Sequence, residues 1–441
     1  MSTPAWAGQS TWAAQPGESG WAGQWVHDRL GVQVQGSAVR DLVGLALRRN
    51  PKRAHLLVSE VLGKHIPTEP RLIRAAGLRL GELAAAELGA GAAGATVLGY
   101  AETATGLGHL VAEAVDAEVY LHSTRRRVPG LTPAAGFAED HSHASEHLLL
   151  PADPRMLTGS GPLVLVDDEL STGRTVANTL RALHRLSPHR RQYVVAALVD
   201  VRAAQDHLLL GALSAELGAK VTVVALASGT VRTPPEVLTA GAALVEEFAA
   251  ATPPAPGPGR PQRVELGWPD GLPDGGRHGV RREHRAAFEL ALPAMAQRLS
   301  NALTTVDTRQ AQRQVAQPTV AVLGFEELMY TPLRLADALA DLRPDLRVRS
   351  CTTTRSPVLA LDADGYAVRH RIVFPAHDDP ADGTGPRFAY NLAPGRFDAV
   401  VAVVDDVADT PALAGLTDQL ATLTPRVLLA VLPSWTPGRR P

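Results

Sequence analysis

Lysine is nearly missing from this chain: Lys52, Lys64 and Lys220 are the only three, so almost all of its 43 Lys and Arg residues are Arg. Cysteine is rarer still, with Cys351 alone. One thiol excludes an intrachain disulfide framework and any cysteine-rich zinc or iron–sulfur site, and it suits the cytoplasm. No apolar run approaches the roughly 18 residues that a membrane span needs. The opening stretch MSTPAWAGQSTWAAQPGESGWAGQW has neither the basic start nor the apolar block of a signal peptide. Charge of one sign is also missing. The formal net charge is −2, so no global basic field calls for nucleic acid or an anionic membrane surface. With no basic stripe or aromatic platform either, single-stranded nucleic acid is a poor fit. The expectation is a cytoplasmic protein whose partners are neither nucleic acid nor membrane.

What is present is ordinary globular material: 441 residues, 45% hydrophobic and 20% charged, enough for two or three domains. Residues 1–25, rich in Gly, Ala, Gln and Trp, read as a disordered tail. ATPPAPGPGRP opens a Pro/Gly-rich linker over 251–276. These breaks leave one domain at 26–250 and another at 277–441. In the first, the apolar runs TVLGY, AEVYLHS, PLVLVDD, YVVAALVD and KVTVVAL alternate with Ala/Leu-rich helical patterns. In the second, TVAVLGF, LRVRSCT, FDAVVAVVDD and RVLLAVL do the same. Near-continuous apolar strands separated by helices predict parallel sheets covered on both faces. The fold class is therefore α/β, a parallel-sheet domain followed by a second, Rossmann-like α/β domain. Ligands in such sheets sit beyond the carboxyl ends of the strands.

The stretch VLVDDELSTGRT, residues 164–175, concentrates the chemistry. Its apolar residues make a buried strand, and Asp167 and Asp168 stand at the carboxyl end. The loop Ser171, Thr172, Gly173, Arg174, Thr175 then opens a helix. Backbone N–H groups and the helix dipole at such a junction favour an anion. A Walker loop would need a lysine that is not there, which argues against a nucleotide triphosphatase. Two carboxylates beside a phosphate cradle suit a sugar phosphate, with acids on the hydroxyls and loop amides on the phosphate. A purely structural strand–turn–helix is the bland alternative.

This stretch resembles the phosphoribosyl-pyrophosphate (PRPP) signature of type I phosphoribosyltransferases, although Glu169 replaces the apolar residue usual after the acids. The resemblance implies a pyrophosphate loop at Glu102, Thr103, Ala104, Thr105 and Gly106, and basic groups for pyrophosphate at Arg125, Arg126 and Arg127. Arg clusters suit that leaving group through bidentate, charge-assisted bonds; a solvated basic turn is the alternative. GFAEDHSHASEH, with Glu139, His141 and His143, falls where the family keeps a mobile hood, which would exclude water and deliver a base. A metal site and a plain solvated loop compete for that segment. Lys64 and His65, with Lys52 and Arg53, lie in an upstream basic stretch. Ser228, Gly229 and Thr230 follow the last strand, where an acceptor would lie.

The chain as a whole is similar to bacterial phosphoribosyltransferase-like proteins with a C-terminal TRSP domain, associated with tellurium-resistance gene clusters. That domain's name stands literally in the sequence as Thr354-Arg355-Ser356-Pro357. LGFEELMYTPLRLA and FAYN match its other signatures. They bring Glu326, Glu327, Tyr330, Thr354, Arg355 and Ser356 to strand ends, with Asn391 and Asp405-Asp406 as weaker candidates. Cys351 reads as a strand-end residue rather than a nucleophile. The resemblance implies an enzyme that binds PRPP with Mg²⁺, held through PRPP and by Asp167 and Asp168, and transfers phosphoribosyl to or from a small base-like acceptor. A nucleoside-like product linked to tellurium or stress resistance follows from it. So do a homodimer and partners from the same gene cluster. The rival reading is a non-catalytic regulator that senses PRPP or a nucleotide.

Overall fold

The computed structural model describes residues 20–48, 50, 52–128, 130–138, 146–248, 260–310, 317–378 and 385–434. All nine apolar runs form strands, and they do so in two parallel sheets. The first sheet runs in the order Lys220–Ser228, Gln192–Asp200, Leu163–Leu170, Thr96–Gly99, Val119–His122, with Val280–Arg281 added antiparallel at the edge. The second runs Gln262–Arg263, Val427–Leu432, Ala399–Asp405, Thr319–Gly324, Arg347–Thr352, parallel throughout. In each sheet the earliest long strand lies inside, with the next strand on one side and later strands on the other. Each sheet therefore has a topological switch point, where a crevice opens beyond the carboxyl ends.

The helices cover both faces, as the continuous apolar strands require. Pro70–Leu88 starts with proline, whose missing N–H costs nothing at that position, and stops at Gly89 with φ +57°. Arg282–Gln310 runs on through Pro293 and packs Leu292, Met295 and Leu299 into the second core. Among the described residues no helix is long and apolar enough to cross a membrane.

Two boundaries differ from those the composition predicts. Residues 20–25 are folded: Trp21 donates its indole N–H to the Val43 carbonyl at 2.7 Å, and Gln24–Leu30 is helical. The stretch 260–276 is structure as well, since Gln262–Arg263 joins the second sheet and Leu266 and Leu272 are core residues. Gly/Ala/Trp and Pro/Gly composition marks where order weakens but not where it resumes. Tertiary partners decide that.

The two domains share their packing. One apolar cluster combines first-sheet residues with Met329, Val358, Leu359, Tyr366 and Tyr390; another combines Ile73 and Leu110 with the second sheet. Residues 357–368 also run along an antiparallel hairpin, Val43–Leu47 with His55–Ser59, through Leu359 N–H to Leu47 O and Ala367 N–H to Leu45 O. The carboxyl edges of the two sheets therefore meet.

Candidate functional site

At the first switch point, between Thr96–Gly99 and Leu163–Leu170, lies a cavity of about 340 Å³. Its size falls within the usual range for a small-molecule site. The strand carrying the acid pair continues to Leu170, so Asp167 and Asp168 sit on its last turns of pleat and line the cavity. The Asp168 N–H donates to the Asp167 carboxylate at 2.9 Å. Burial raises the Asp168 carboxyl above its ordinary value, the neighbouring Glu169 adds to this, and Lys64 opposes it. Glu169, the departure from the family pattern, is bonded to Arg53 at 2.7 Å. That partner explains how a third acid is tolerated there.

Gly173, at φ +75°, turns the loop into the helix Arg174–Leu186. A side chain is strained in that backbone region. Ser171 and Thr175 line the cavity on either side of it, while Thr172, Gly173 and the exposed Arg174 carry the chain between them. Gly173 supplies no side-chain cap, and the Arg174 N–H donates to the Thr172 hydroxyl at 3.4 Å; the helix start lies beside the cavity-lining Ser171 and Thr175, where its dipole favours an anion.

The second predicted anion loop doubles back on its own strand: a Cβ on Gly99 would lie 2.6 Å from the Ala104 carbonyl oxygen. The Ala101–Glu102 peptide bond is cis. Glu102 and Thr103 line the cavity, whereas Ala104, Thr105 and Gly106 form the buried start of the next helix. Lys64 bridges this loop, at 2.8 Å from the Thr103 hydroxyl and 3.0 Å from Glu102. Burial alone would raise the Glu102 carboxyl, but Lys64, the Thr354 hydroxyl, Arg355 and Arg125 together hold it below the ordinary value.

The three arginines at 125–127 have three fates. Arg125 lines the cavity, and its N–H donates to Glu327 at 3.0 Å. Arg126 points away into the second domain, where it meets Asp378 at 2.9 Å and Asp405 at 2.5 Å and lies over the Phe325 ring. Arg127 is exposed. Of the three, only Arg125 lines the cavity.

The TRSP string reaches the cavity from the second domain: Arg355, Ser356 and Pro357 line it. Thr354 is buried and donates its hydroxyl to Glu102 at 2.5 Å. Of the other second-domain candidates, Glu327, Tyr330 and Asn391 reach the first domain, and Glu326 is paired within its own. Glu326 is clasped by Arg355 at 2.6 Å and Arg387 at 2.5 Å. Glu327 accepts from the Thr124 hydroxyl at 2.8 Å and faces Arg277, and although burial alone would raise it, its cations and the Arg125 N–H hold it at about 2. Tyr330 stacks on His109. Asn391 donates to the His65 and Ala367 carbonyls, and Asp405 is the partner of Arg126. Ser228–Thr230 is structural, with Thr230–Arg232 paired to Gln33–Gln35.

Glu139, His141 and His143 lie outside the described residues; the hairpin Ala135–Ala138 with Glu146–Leu149 flanks them. His65 is the only histidine lining the cavity among the described residues. Burial, then Lys64 and Arg48, push its imidazole well below the ordinary value, which makes it a poor base. Not singled out in the sequence were Arg48, Tyr100 and the hairpin residues Leu56, Leu57 and Ser59, all of which line the cavity. The sequence signal of Arg48 and the hairpin residues was proximity to Lys64, and that of Tyr100 was its place between the TVLGY run and Glu102.

The family described as phosphoribosyl transferase matches residues 42–230, and the TRSP domain C-terminal to it matches residues 274–420. The chain joins a phosphoribosyl transferase domain to a C-terminal TRSP domain. No curated protein matches it. Among solved structures, an adenine phosphoribosyltransferase from Giardia lamblia with 9-deazaadenine is 16% identical, covering 42% of this chain and 94% of its own, with a TM-score of 0.30. An orotate phosphoribosyltransferase from Aeropyrum pernix is 18% identical, covering 45% and 86%, with a TM-score of 0.24. The phosphoribosyl transferase domain contributes Asp167, Asp168, Glu102, Thr103, Ser171 and Thr175 to the cavity, and the TRSP domain contributes Arg355, Ser356 and Pro357.

Proposed function

We propose that the chain binds PRPP with Mg²⁺ and exchanges its pyrophosphate for a base-like nitrogen acceptor. The observation that carries this reading is the convergence of Asp167, Asp168, Ser171 and Thr175 with Glu102, Thr103 and Arg125 on one cavity. Loop amides, Ser171 and Thr175 hold the 5′-phosphate at the helix N-terminus. Asp167 and Asp168 accept from the ribose hydroxyls, and their charge stabilises an oxocarbenium-like anomeric carbon. The bond from that carbon to the pyrophosphate oxygen breaks with its electron pair leaving on oxygen. The acceptor nitrogen bonds to the carbon and loses its proton, to a group of the 139–143 segment. Such chemistry depends mainly on positioning and charge.

The carboxylate oxygens of Asp167 and Asp168 are the hard donors that Mg²⁺ prefers, and that ion is commonly held by one or two carboxylates together with substrate phosphates. When bound it would offset charge on the departing pyrophosphate. The product on this reading is a nucleotide-like metabolite, and the tellurium association would concern where that metabolite is used.

Calorimetry with PRPP and Mg²⁺ tests the proposal. The intact chain should bind, and Asp167→Asn/Asp168→Asn should weaken binding by at least a hundredfold. An intact chain that binds no PRPP sinks the proposal. Binding with no acceptor-dependent pyrophosphate release, across a broad set of bases, would move the chain to the class of PRPP sensors.

A further inference from the structure

We infer that Arg355, delivered by the TRSP domain, is a pyrophosphate-binding residue of the phosphoribosyltransferase site, so that the two domains complete one active site between them. This rests on the PRPP reading above and adds to it a second-domain residue in direct contact with substrate.

The first argument is placement. Arg355 borders the same cavity as Glu102, Thr103 and Arg125. Its N–H lies 3.4 Å from Glu102 and its Nε 4.0 Å from the same carboxylate. It therefore stands at the predicted pyrophosphate loop. The backbone that carries it is tightly fixed. Thr353 and Thr354 are fully buried. Tyr390 pins the next turn by donating to the Ser356 carbonyl at 2.6 Å and accepting from the Val358 N–H at 2.7 Å. A residue presented so rigidly costs little conformational entropy when it meets a ligand.

The second argument is need. A bound pyrophosphate brings several negative charges into a partly desolvated cleft, where charge-assisted donors are strongest. Of the three arginines after Val119–His122, only Arg125 lines the cleft. Lys64 is engaged with Glu102 and Thr103. A second guanidinium at that end comes from Arg355.

The third argument separates a ligand-binding role from simple neutralisation of Glu326. Glu326 is already held by Arg387 at 2.5 Å, and Arg387 is more deeply buried than Arg355. Neutralising Glu326 would be complete with that pair, which lies within the TRSP domain. Arg355 meets Glu326 through Nε at 2.6 Å and has its Nη2 3.8 Å from Asp378, while the residue itself lines the cavity. Anchoring a guanidinium on its Nε side fixes its plane, so that its charge is held at the cavity edge where phosphate oxygens would lie. Glu326 is then a positioning residue for Arg355, and Glu102 keeps the surrounding cations in register.

The test is calorimetry on the full chain with three probes: Mg²⁺–pyrophosphate, Mg²⁺–PRPP and ribose 5-phosphate. Arg355→Gln should weaken pyrophosphate and PRPP at least tenfold and leave ribose 5-phosphate within twofold. Arg355→Lys keeps the charge but loses the fork, and should fall between wild type and Arg355→Gln. Should Arg355→Gln fail to fold, Arg355→Lys carries the test, with a threefold or greater loss expected for pyrophosphate and none for ribose 5-phosphate. Pyrophosphate binding within twofold of wild type in the folded variants overturns the inference, as does an equal loss for all three probes. If the unmodified chain binds ribose 5-phosphate and PRPP while the variants hold pyrophosphate normally, only this inference fails. If the unmodified chain binds neither PRPP nor pyrophosphate, the PRPP reading fails with it.

Discussion

In the phosphoribosyltransferase domain the strand order turns between Thr96–Gly99 and Leu163–Leu170, and a cavity opens there. In the TRSP domain it turns between Thr319–Gly324 and Ala399–Asp405. The corresponding place there holds the Arg126 side chain, laid over Phe325 and bonded to Asp405. The same topology thus gives two crevices with opposite fates. One is lined by Ser171 and Thr175 at the start of a helix, where the helix dipole favours an anion. The other is lined by carboxylates that already have guanidinium partners from the first domain. A topological switch point shows where a ligand can bind; the side chains that reach it decide whether one does. Here the second crevice receives a piece of the first domain, and this fixes Arg355 at the edge of the open one.

The comparison is broken most directly at Arg126. Arg126→Ala leaves Asp378 and Asp405 buried without their closest cation, and removing one partner of a buried ion pair typically costs about 3–5 kcal/mol. Arg127, exposed and next in sequence, provides the control, with a change expected within about 0.5 kcal/mol on substitution by Ala. Urea unfolding of both variants measures this. If Arg126→Ala proves no more destabilising than Arg127→Ala, the second crevice is not closed by the first domain.

A smaller effect, with a defined pH range, comes from Glu327. Its carboxyl sits at about 2 in the folded chain, against an ordinary value of 4.5. A depressed folded value means stability that is fully present above about 4.5 and lost as pH falls towards 2. The difference corresponds to about 3 kcal/mol at most. Wild-type stability, measured by chemical denaturation at pH 6 and pH 3, should drop more than that of Glu327→Gln. Parallel pH dependences for the two proteins would show that Glu327 is not ionised against Arg277 and the Arg125 N–H in the way the geometry requires.

These contrasts also mark how far the sequence could be read. Both sheets were legible because a parallel strand buried on both faces is a near-continuous apolar run, and runs as short and valine-rich as VVAALV or AVVAVV favour a strand over a buried helix. The acid pair and its glycine loop were legible because their chemistry is local, packed into twelve consecutive residues. The fates of Arg125, Arg126 and Arg127 were not. Three identical side chains in a row carry no local mark of which will meet a ligand and which will meet Asp405, 279 positions away. The hairpin Val43–Leu47 with His55–Ser59 was missed for a related reason. All five residues of its first strand are buried, so the alternation that identifies an antiparallel strand is absent. What covers it includes residues 357–368 of the other domain. Glu327, read as a candidate ligand group, bonds across to Thr124 and Arg125 of the first domain, and that too depends on partners remote in sequence.

Cys351 provides the smallest effect and sharpens the contrast from the closed side. It lies in Arg347–Thr352, opposite Leu323 of the neighbouring strand, and burial pushes its thiol up to about 12. Roughly one such thiol in ten thousand is ionised at pH 8, and the thiolate is the reactive form. Iodoacetamide should therefore leave the native chain unlabelled at pH 8 and modify it readily in urea. Cys351→Ala should cost about 1 kcal/mol for the small volume lost from the core and leave PRPP binding unchanged. Labelling of the native chain at the unfolded rate would mean that the TRSP sheet opens at Arg347–Thr352. Since Thr353, Thr354 and Arg355 follow directly from that strand, the rigid presentation of Arg355 to the cavity would then have to be abandoned as well.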